Sequence, residues 1–436
     1  MIGKPMLATL LASMFTLPPA RAAGQEPPAP PPADAPNTAP PPAAPAEPET
    51  PDFLTSITTG KVHVDLRLRY EYVDQDGFDD AHAVTNRIRL GYTTAPWHGL
   101  TFLIEGEDIR AFDDDRYNAA GLNSNPGKAV VADPEDSELN QLWANYDWTE
   151  PRIAFKVGRQ RIKHDDDRFL GNVGWRQNEQ TFDAARASWV IIESVTLDYA
   201  FIWDVNRIFG PDADRDFDSE SHAIRAAWDM PAGVGKVIGF AYLLDLENNG
   251  VAPTGAFFSS NTYGIRYEGS FDLGDDFDLG AILSYARQSD AADNPTGYDA
   301  DYYRLEAWLT CRDLGALGIG YEVLGSDDGL ASFQTPLATG HAFNGWADLF
   351  LTTPPDGLED IYIYARTTLP FNISAAIYAH WFEADDGGGD FGEEIDAVLS
   401  RKMNANWTVL AKLAVFDGND PFPDTTKIWL QTEFTF

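Results

Sequence analysis

Lys61-Val-His-Val-Asp-Leu-Arg-Leu-Arg-Tyr-Glu-Tyr72 alternates apolar and polar residues without a break. Only an extended strand, whose side chains point to opposite faces in turn, gives that period of two. Val62, Val64, Leu66, Leu68, Tyr70 and Tyr72 share one face, and Lys61, His63, Asp65, Arg67, Arg69 and Glu71 share the other. The same pattern recurs in Val195-Leu197-Tyr199-Phe201-Trp203, Phe277-Leu279-Ala281-Leu283-Tyr285, Phe371-Ile373-Ala375-Ile377-Ala379-Trp381 and Ile428-Leu430-Thr432-Phe434-Phe436. Many of these segments reach the ~9–11 residues that a tilted strand needs to cross a bilayer.

Strands are expected over 61–72, 84–95, 99–108, 138–148, 152–161, 180–191, 194–205, 221–229, 235–245, 261–269, 275–287, 301–311, 315–324, 358–369, 371–383, 391–401, 405–416 and 425–436. Their connections alternate in length. Short turns fall at Ala95-Pro96-Trp97-His98-Gly99, Thr149-Glu150-Pro151, Met230-Pro231-Ala232-Gly233, Asp313-Leu314-Gly315, Pro370 and Met403-Asn404-Ala405. Between them lie longer links, many of them acidic: 73–83, 109–137, 162–179, 206–220, 246–260, 288–300, 325–357, 384–390 and 417–424. This is the signature of an all-β protein, a transmembrane antiparallel β-barrel of about eighteen strands with short periplasmic turns and long extracellular loops. In a bilayer the sheet must close, so the apolar face meets lipid and the polar face lines the interior. Trp97, Trp148, Tyr199, Trp381 and Trp407 are candidates for the interfacial girdles.

Composition agrees. The chain has 436 residues, 31 Lys+Arg against 68 Asp+Glu, and a net charge of -37, which argues against a nucleic-acid binder. With Cys311 alone, no intrachain disulfide and no cysteine-pair zinc site can form. Lys4, the apolar run Met6 to Leu17 and Ala20-Arg21-Ala22 read as a signal peptide over 1–22. Residues 23–60 are expected to be a Pro/Ala-rich periplasmic linker, with 12 prolines between 24 and 51, and residues 61–436 the barrel. The linker is either a spacer or an arm for a periplasmic partner.

The carboxylates gather in the expected loops, as in Asp113-Asp114-Asp115, Asp165-Asp166-Asp167 and Asp385-Asp386, and read as a solvated outer rim facing lipopolysaccharide. Asp212, Asp214, Asp216 and Asp218 approach a calcium loop, but Phe217 and Ala223 stand where glycine and glutamate are required. No cofactor is expected, a loop-bound divalent cation such as calcium being the one alternative. The basic residues behave differently. Arg67, Arg69, Arg87, Arg89, Lys156, Arg225, Arg266, Arg304 and Arg366 fall on the polar parity of strands. A lipid-facing arginine near the midplane would cost about 2–4 kcal/mol, so these belong inside. Asp65, Glu71, Glu105, Glu268 and Glu306 are expected to pair with some of them. The interior is then either a stiffening salt-bridge lattice or a basic constriction that selects anions.

Gly158-Arg-Gln-Arg-Ile162 is followed by Asp167-Arg-Phe-Leu-Gly-Asn-Val-Gly-Trp-Arg-Gln-Asn-Glu-Gln-Thr-Phe-Asp183. This stretch resembles the alginate export family of outer-membrane barrels. Arg67-Leu-Arg-Tyr-Glu71, Asn86-Arg-Ile-Arg-Leu-Gly-Tyr92 and Phe343-Asn-Gly-Trp-Ala-Asp-Leu-Phe350 add to the likeness, which covers roughly 61–436. The resemblance implies an eighteen-stranded channel in the bacterial outer membrane whose arginine-rich lumen passes polyuronate. It also implies long loops that fold over or into the pore, here 325–357 with Trp346. Arg67, Arg69, Arg87, Arg89, Arg159 and Arg161 are carried over as candidate pore-lining cations. Arg159 and Arg161 lie on the opposite parity from Lys156 and need a bulge, or a place at the loop end, to face inward. Arg176 lies in the loop motif.

The expected function is passive conduction of an anionic polysaccharide or oligosaccharide, with no nucleotide motif to drive it. The alternatives are a general or small-anion porin, a barrel enzyme and a plugged adhesion barrel. Catalysis is not expected. The seven histidines are scattered, and His164, placed near the rim beside its aspartates, has no nucleophile motif with it.

Overall fold

The computed structural model describes residues 52–248 and 255–436. The expected signal peptide, and the expected linker up to residue 51, lie outside them. Eighteen long strands form the wall: β1 (Lys61–Gln75), β2 (Ala81–Thr93), β3 (Leu100–Ala111), β4 (Asp136–Trp148), β5 (Ile153–Gln160), β6 (Thr181–Ile192), β7 (Val195–Asn206), β8 (Phe217–Asp229) and β9 (Lys236–Leu244) make the first half. The second half is β10 (Ser260–Asp272), β11 (Phe277–Asp290), β12 (Asp299–Cys311), β13 (Gly315–Leu324), β14 (Leu358–Leu369), β15 (Ile373–Glu383), β16 (Asp390–Lys402), β17 (Trp407–Gly418) and β18 (Thr425–Thr435). Each pairs antiparallel with the next, and β18 returns to β1 with Asp65 opposite Thr435, so the sheet closes. All eighteen expected strands are present, the ends moving by a few residues.

Burial settles which face is which. Leu90 is 60% exposed while its neighbour Arg89 is 7% exposed. Val62, Ile104, Ile265, Leu317 and Leu430 are likewise exposed, and Arg69, Glu71, Arg87 and Arg266 are buried. Apolar outside and charged inside is the reverse of a protein dissolved in water. It is what a hydrocarbon surround requires. Among the described residues no helix is long and apolar enough to span a membrane; the strands make the crossing.

The end of the expected linker is ordered. α1 (Phe53–Thr58) is capped by Asp52, whose carboxylate accepts from the Thr55 amide at 3.0 Å. It packs on the first short turn, where Phe53 meets Trp97 edge-on and the Ala95 amide donates to the Ser56 carbonyl at 3.1 Å.

The long connections do not all stay outside. The 161–180 connection contacts both 112–135 and 325–357, and all three meet interior side chains of the wall. Leu170 bridges Leu337 in parallel, and the Gln177 amide donates to Asp133 at 2.9 Å.

Candidate functional site in the barrel interior

Cross-strand partners share a face of the sheet, so the register decides the interior. Arg67 stands opposite Arg87, and Asp65 opposite Arg89. Two like charges face to face repel, and two carboxylates offset them. Glu433 of β18 lies 3.1 Å from Arg67 and 3.4 Å from Arg87, and Asp65 also pairs with Arg87. Arg89 pairs with Glu107 and lies 3.4 Å from Glu179. The remaining guanidinium donors reach the 161–180 connection. Arg67 donates to the carbonyls of Gly174 (3.1 Å), Trp175 (3.3 Å) and Arg176 (3.1 Å), and Arg69 donates to Trp175 at 2.6 Å. Arg87 and Arg89 donate to the Gln177 carbonyl at 3.2 and 3.4 Å. A planar fork with five N–H groups suits this, because each arginine grips a carboxylate and a carbonyl together.

The opposite wall receives the start of the same connection. Asp165 accepts from Arg225 at 2.9 Å. Asp166 accepts from Arg266 at 2.9 Å and from Arg304 at 2.6 Å. These aspartates are therefore not a solvated outer rim, as sequence suggested. They lie inside because three guanidinium groups on β8, β10 and β12 converge on them. Burial alone would raise the Asp166 pKa; Arg266 and Arg304 outweigh it and hold the carboxyl well below the usual range. Asp167, whose nearby cation is Lys163 at 3.1 Å, is pushed up to about 6 by burial. His164 is likewise not at the rim. It is buried, 3.0 Å from the Tyr242 hydroxyl and 3.0 Å from Asp198, and burial pushes its imidazole below the ordinary value.

The 325–357 connection enters the interior too. Asn344 donates to Glu322 at 2.8 Å and to Asp360 at 3.2 Å. The Trp346 and Ala347 amides donate to Asp396 (3.2 Å) and Glu394 (2.7 Å) on β16. Asp348 holds Arg176 at 2.8 Å and Lys427 at 3.1 Å. The two connections are tied directly, since Arg168 donates to both Glu322 (2.8 Å) and Asn344 (2.9 Å).

Arg161 and Arg159 part company. Arg161, at the loop end, turns inward to Glu105 at 3.0 Å and to Glu179. Arg159 stays in the wall, opposite Leu142, and bridges the Leu139 carbonyl at 3.3 Å and Asp183 at 2.8 Å. Gly158 has φ +115°, but the register runs unbroken through Gly158 and Arg159, and the expected inward turn of Arg159 does not occur. Lys156 and Arg366 differ from the other candidates. Among the described residues neither has a carboxylate within ion-pair distance; Lys156 lies 4.1 Å over Trp143 and Arg366 4.7 Å over Tyr364. The other inward carboxylates pair: Glu71 with Arg176, Glu268 with Arg266, and Glu306 with Arg304.

Arg168, Arg186, Lys412 and Lys427 belong to the same network and were absent from the candidates. Arg186, Lys412 and Lys427 lie on the polar parity of strands, so a stricter reading of the alternation finds them. Arg168 lies in a connection without period. Among the described residues no group of three or more His, Cys, Asp or Glu side chains is arranged as metal ligands.

A family model described as alginate export matches residues 60–294, more than half of the chain. The chain belongs to the alginate export family. No curated protein matches the sequence. Solved structures share the fold. OpdL of Pseudomonas aeruginosa aligns at TM-score 0.66 and 15% identity, covering 87% of this chain and 99% of that one. OccAB3 of Acinetobacter baumannii aligns at TM-score 0.68 and 11% identity over 87% and 100%. Pseudomonas aeruginosa OpdK, solved with vanillate, aligns at TM-score 0.64 and 13% identity over 87% and 99%. This alginate export family member is an outer-membrane β-barrel.

Proposed function

We propose that this alginate export family barrel conducts a carboxylated sugar chain across the outer membrane, with interior guanidinium groups replacing part of the carboxylate hydration. The observation that carries the reading is the bonding of those groups. Arg225, Arg266 and Arg304 each hold a loop carboxylate, and Arg67, Arg69, Arg87 and Arg89 hold loop carbonyls. Carboxylate and hydroxyl oxygens of a polyuronate offer the same acceptors. Lys156 and Arg366, which have no such partner, are the cations open to a solute. Arg159 lies outside this set.

Oligouronate added to a conducting barrel should block the current in a saturable manner, and an uncharged oligosaccharide of equal length should not. Lys156→Gln and Arg366→Gln should weaken the block. Equal block by both sugars would sink the reading. A second reading, a porin for small organic anions, is favoured by vanillate in the OpdK structure. Small aromatic carboxylates would then block or permeate where oligouronate does neither.

A further inference from the structure

Two interior connections meet the wall at one side chain, Lys412 of β17. Its ammonium lies 3.6 Å from the centre of the Trp346 ring, 4.3 Å from Trp175 and 5.5 Å from Trp429. Trp175 comes from the 161–180 connection, Trp346 from 325–357 and Trp429 from β18. Inside this cage the ammonium makes a hydrogen bond to His341 Nε2 at 2.6 Å. His341 Nδ1 lies 2.7 Å from Asp348, and its ring stacks on Trp175 with centroids 4.4 Å apart and planes 8° apart.

Where Lys412 carries its charge, the geometry sets the histidine's state. An ammonium has only protons to offer, so Nε2 must present its lone pair. The ring proton then sits on Nδ1 and is donated to Asp348. This imidazole is neutral, and a proton added at Nε2 would set two donors and two positive charges against each other. The surroundings do not absorb that charge. Asp348, the carboxylate in contact, already holds Arg176 and Lys427. Lys412 is acted on by Asp396, Asp348 and Glu394, and against them by Arg69. Burial pushes the His341 imidazole well below its ordinary value; Asp348 opposes this, and Lys412 and Arg176 add to it.

We propose that His341 is a proton-operated latch: its protonation breaks the bond to Lys412 and releases the 340–350 segment from the barrel interior. The latch acts on the connection and not on the solute, so it is read in salt alone, whichever anion the barrel carries. Asp396 and Glu394 hold the same segment through the Trp346 and Ala347 amides, and their own protonation would loosen it in the same direction. A variant must therefore separate histidine from carboxylate.

The experiment is conductance of the full barrel in planar bilayers, stepped from about pH 7.5 to about pH 4.5 across the ordinary histidine range. Heat-modifiable migration on gels confirms folding. Wild type should open in a transition below the ordinary histidine value. In His341→Gln the amide oxygen accepts from Lys412 and the amide nitrogen donates to Asp348, with no proton to gain, so the transition should be lost. In Lys412→Met the opposing charge is gone, and the transition should move up toward the ordinary value. A flat wild-type profile, or a transition retained in His341→Gln, overturns the proposal. Should His341→Gln fail to fold, Lys412→Met decides, and an unshifted transition overturns it.

Discussion

Arg67 and Arg87 face each other across β1 and β2, and the Glu433 carboxylate joins them at 3.1 and 3.4 Å. Both guanidinium groups are buried, so their repulsion is not screened by water. Glu433→Gln should therefore destabilise the closing seam between β18 and β1 by about 1–3 kcal/mol. Urea unfolding of the lipid-reconstituted barrel, followed by tryptophan fluorescence, measures this. Adding Arg67→Gln should restore part of the loss, since Arg67 is the guanidinium that loses its carboxylate, whereas Arg87 keeps Asp65.

Asp166 joins β10 to β12 through Arg266 and Arg304. Asp166→Asn removes a charge that offsets both. The barrel should become more anion-selective, and the start of the 161–180 connection should exchange amide hydrogens faster. With its pKa lowered in the fold, Asp166 stabilises above its unfolded value of about 3.9. That contribution is lost only as pH falls through the folded value, so the clamp should persist in mild acid.

His164, in the same segment, also loses stability on acidification, but in a higher pH window. Its folded pKa is depressed by burial, so the buried ring stays neutral while an unfolded one takes up a proton below about 6.5. Stability is full above that value and falls on acidification by up to ~1.4 kcal/mol per pH unit, until the folded pKa is reached. Asp167, raised to about 6, works against this, because its folded-state penalty is relieved on protonation. Hydrogen exchange over 161–180 at neutral and acid pH should show faster opening in acid for wild type. In His164→Gln the acid effect should shrink, and in Asp167→Asn it should grow.

Tyr364 and Tyr362 lie across Gly318 and Gly320 of β13, so closely that a Cβ at either glycine would collide with the ring. Their hydroxyls donate to Glu306 at 2.8 and 2.9 Å, which fixes the rings in place. Gly318→Ala should cost about 1–3 kcal/mol through overpacking, and Tyr364→Ala in the same chain should recover part of it. The same urea titration tests this.

The wall was legible because the period of two is a local property. Arg67 between Leu66 and Leu68 has one face open to it, and the structure puts it there. The parity of β5 was legible as well, but not its consequence: Arg159 needed no inward turn, because the Leu139 carbonyl and Asp183 satisfy it within the wall. The interior connections were hidden for a different reason. Asp165 and Asp166 read as ordinary solvated carboxylates, and only partners far along the chain, Arg225, Arg266 and Arg304, draw them inside. The family likeness pointed to 325–357 as a segment near the pore. Nothing in its composition told that Asp348 would meet Arg176 and Lys427, or that 161–180 would enter with it.

The most direct measurement is the reversal potential of the purified barrel in a planar bilayer under a potassium chloride gradient. An anion-selective potential is expected, reduced in Lys156→Gln and in Arg366→Gln, neither of which strands an ion-paired carboxylate. A cation-selective potential, unchanged in both variants, would contradict passage of an anion along the basic interior.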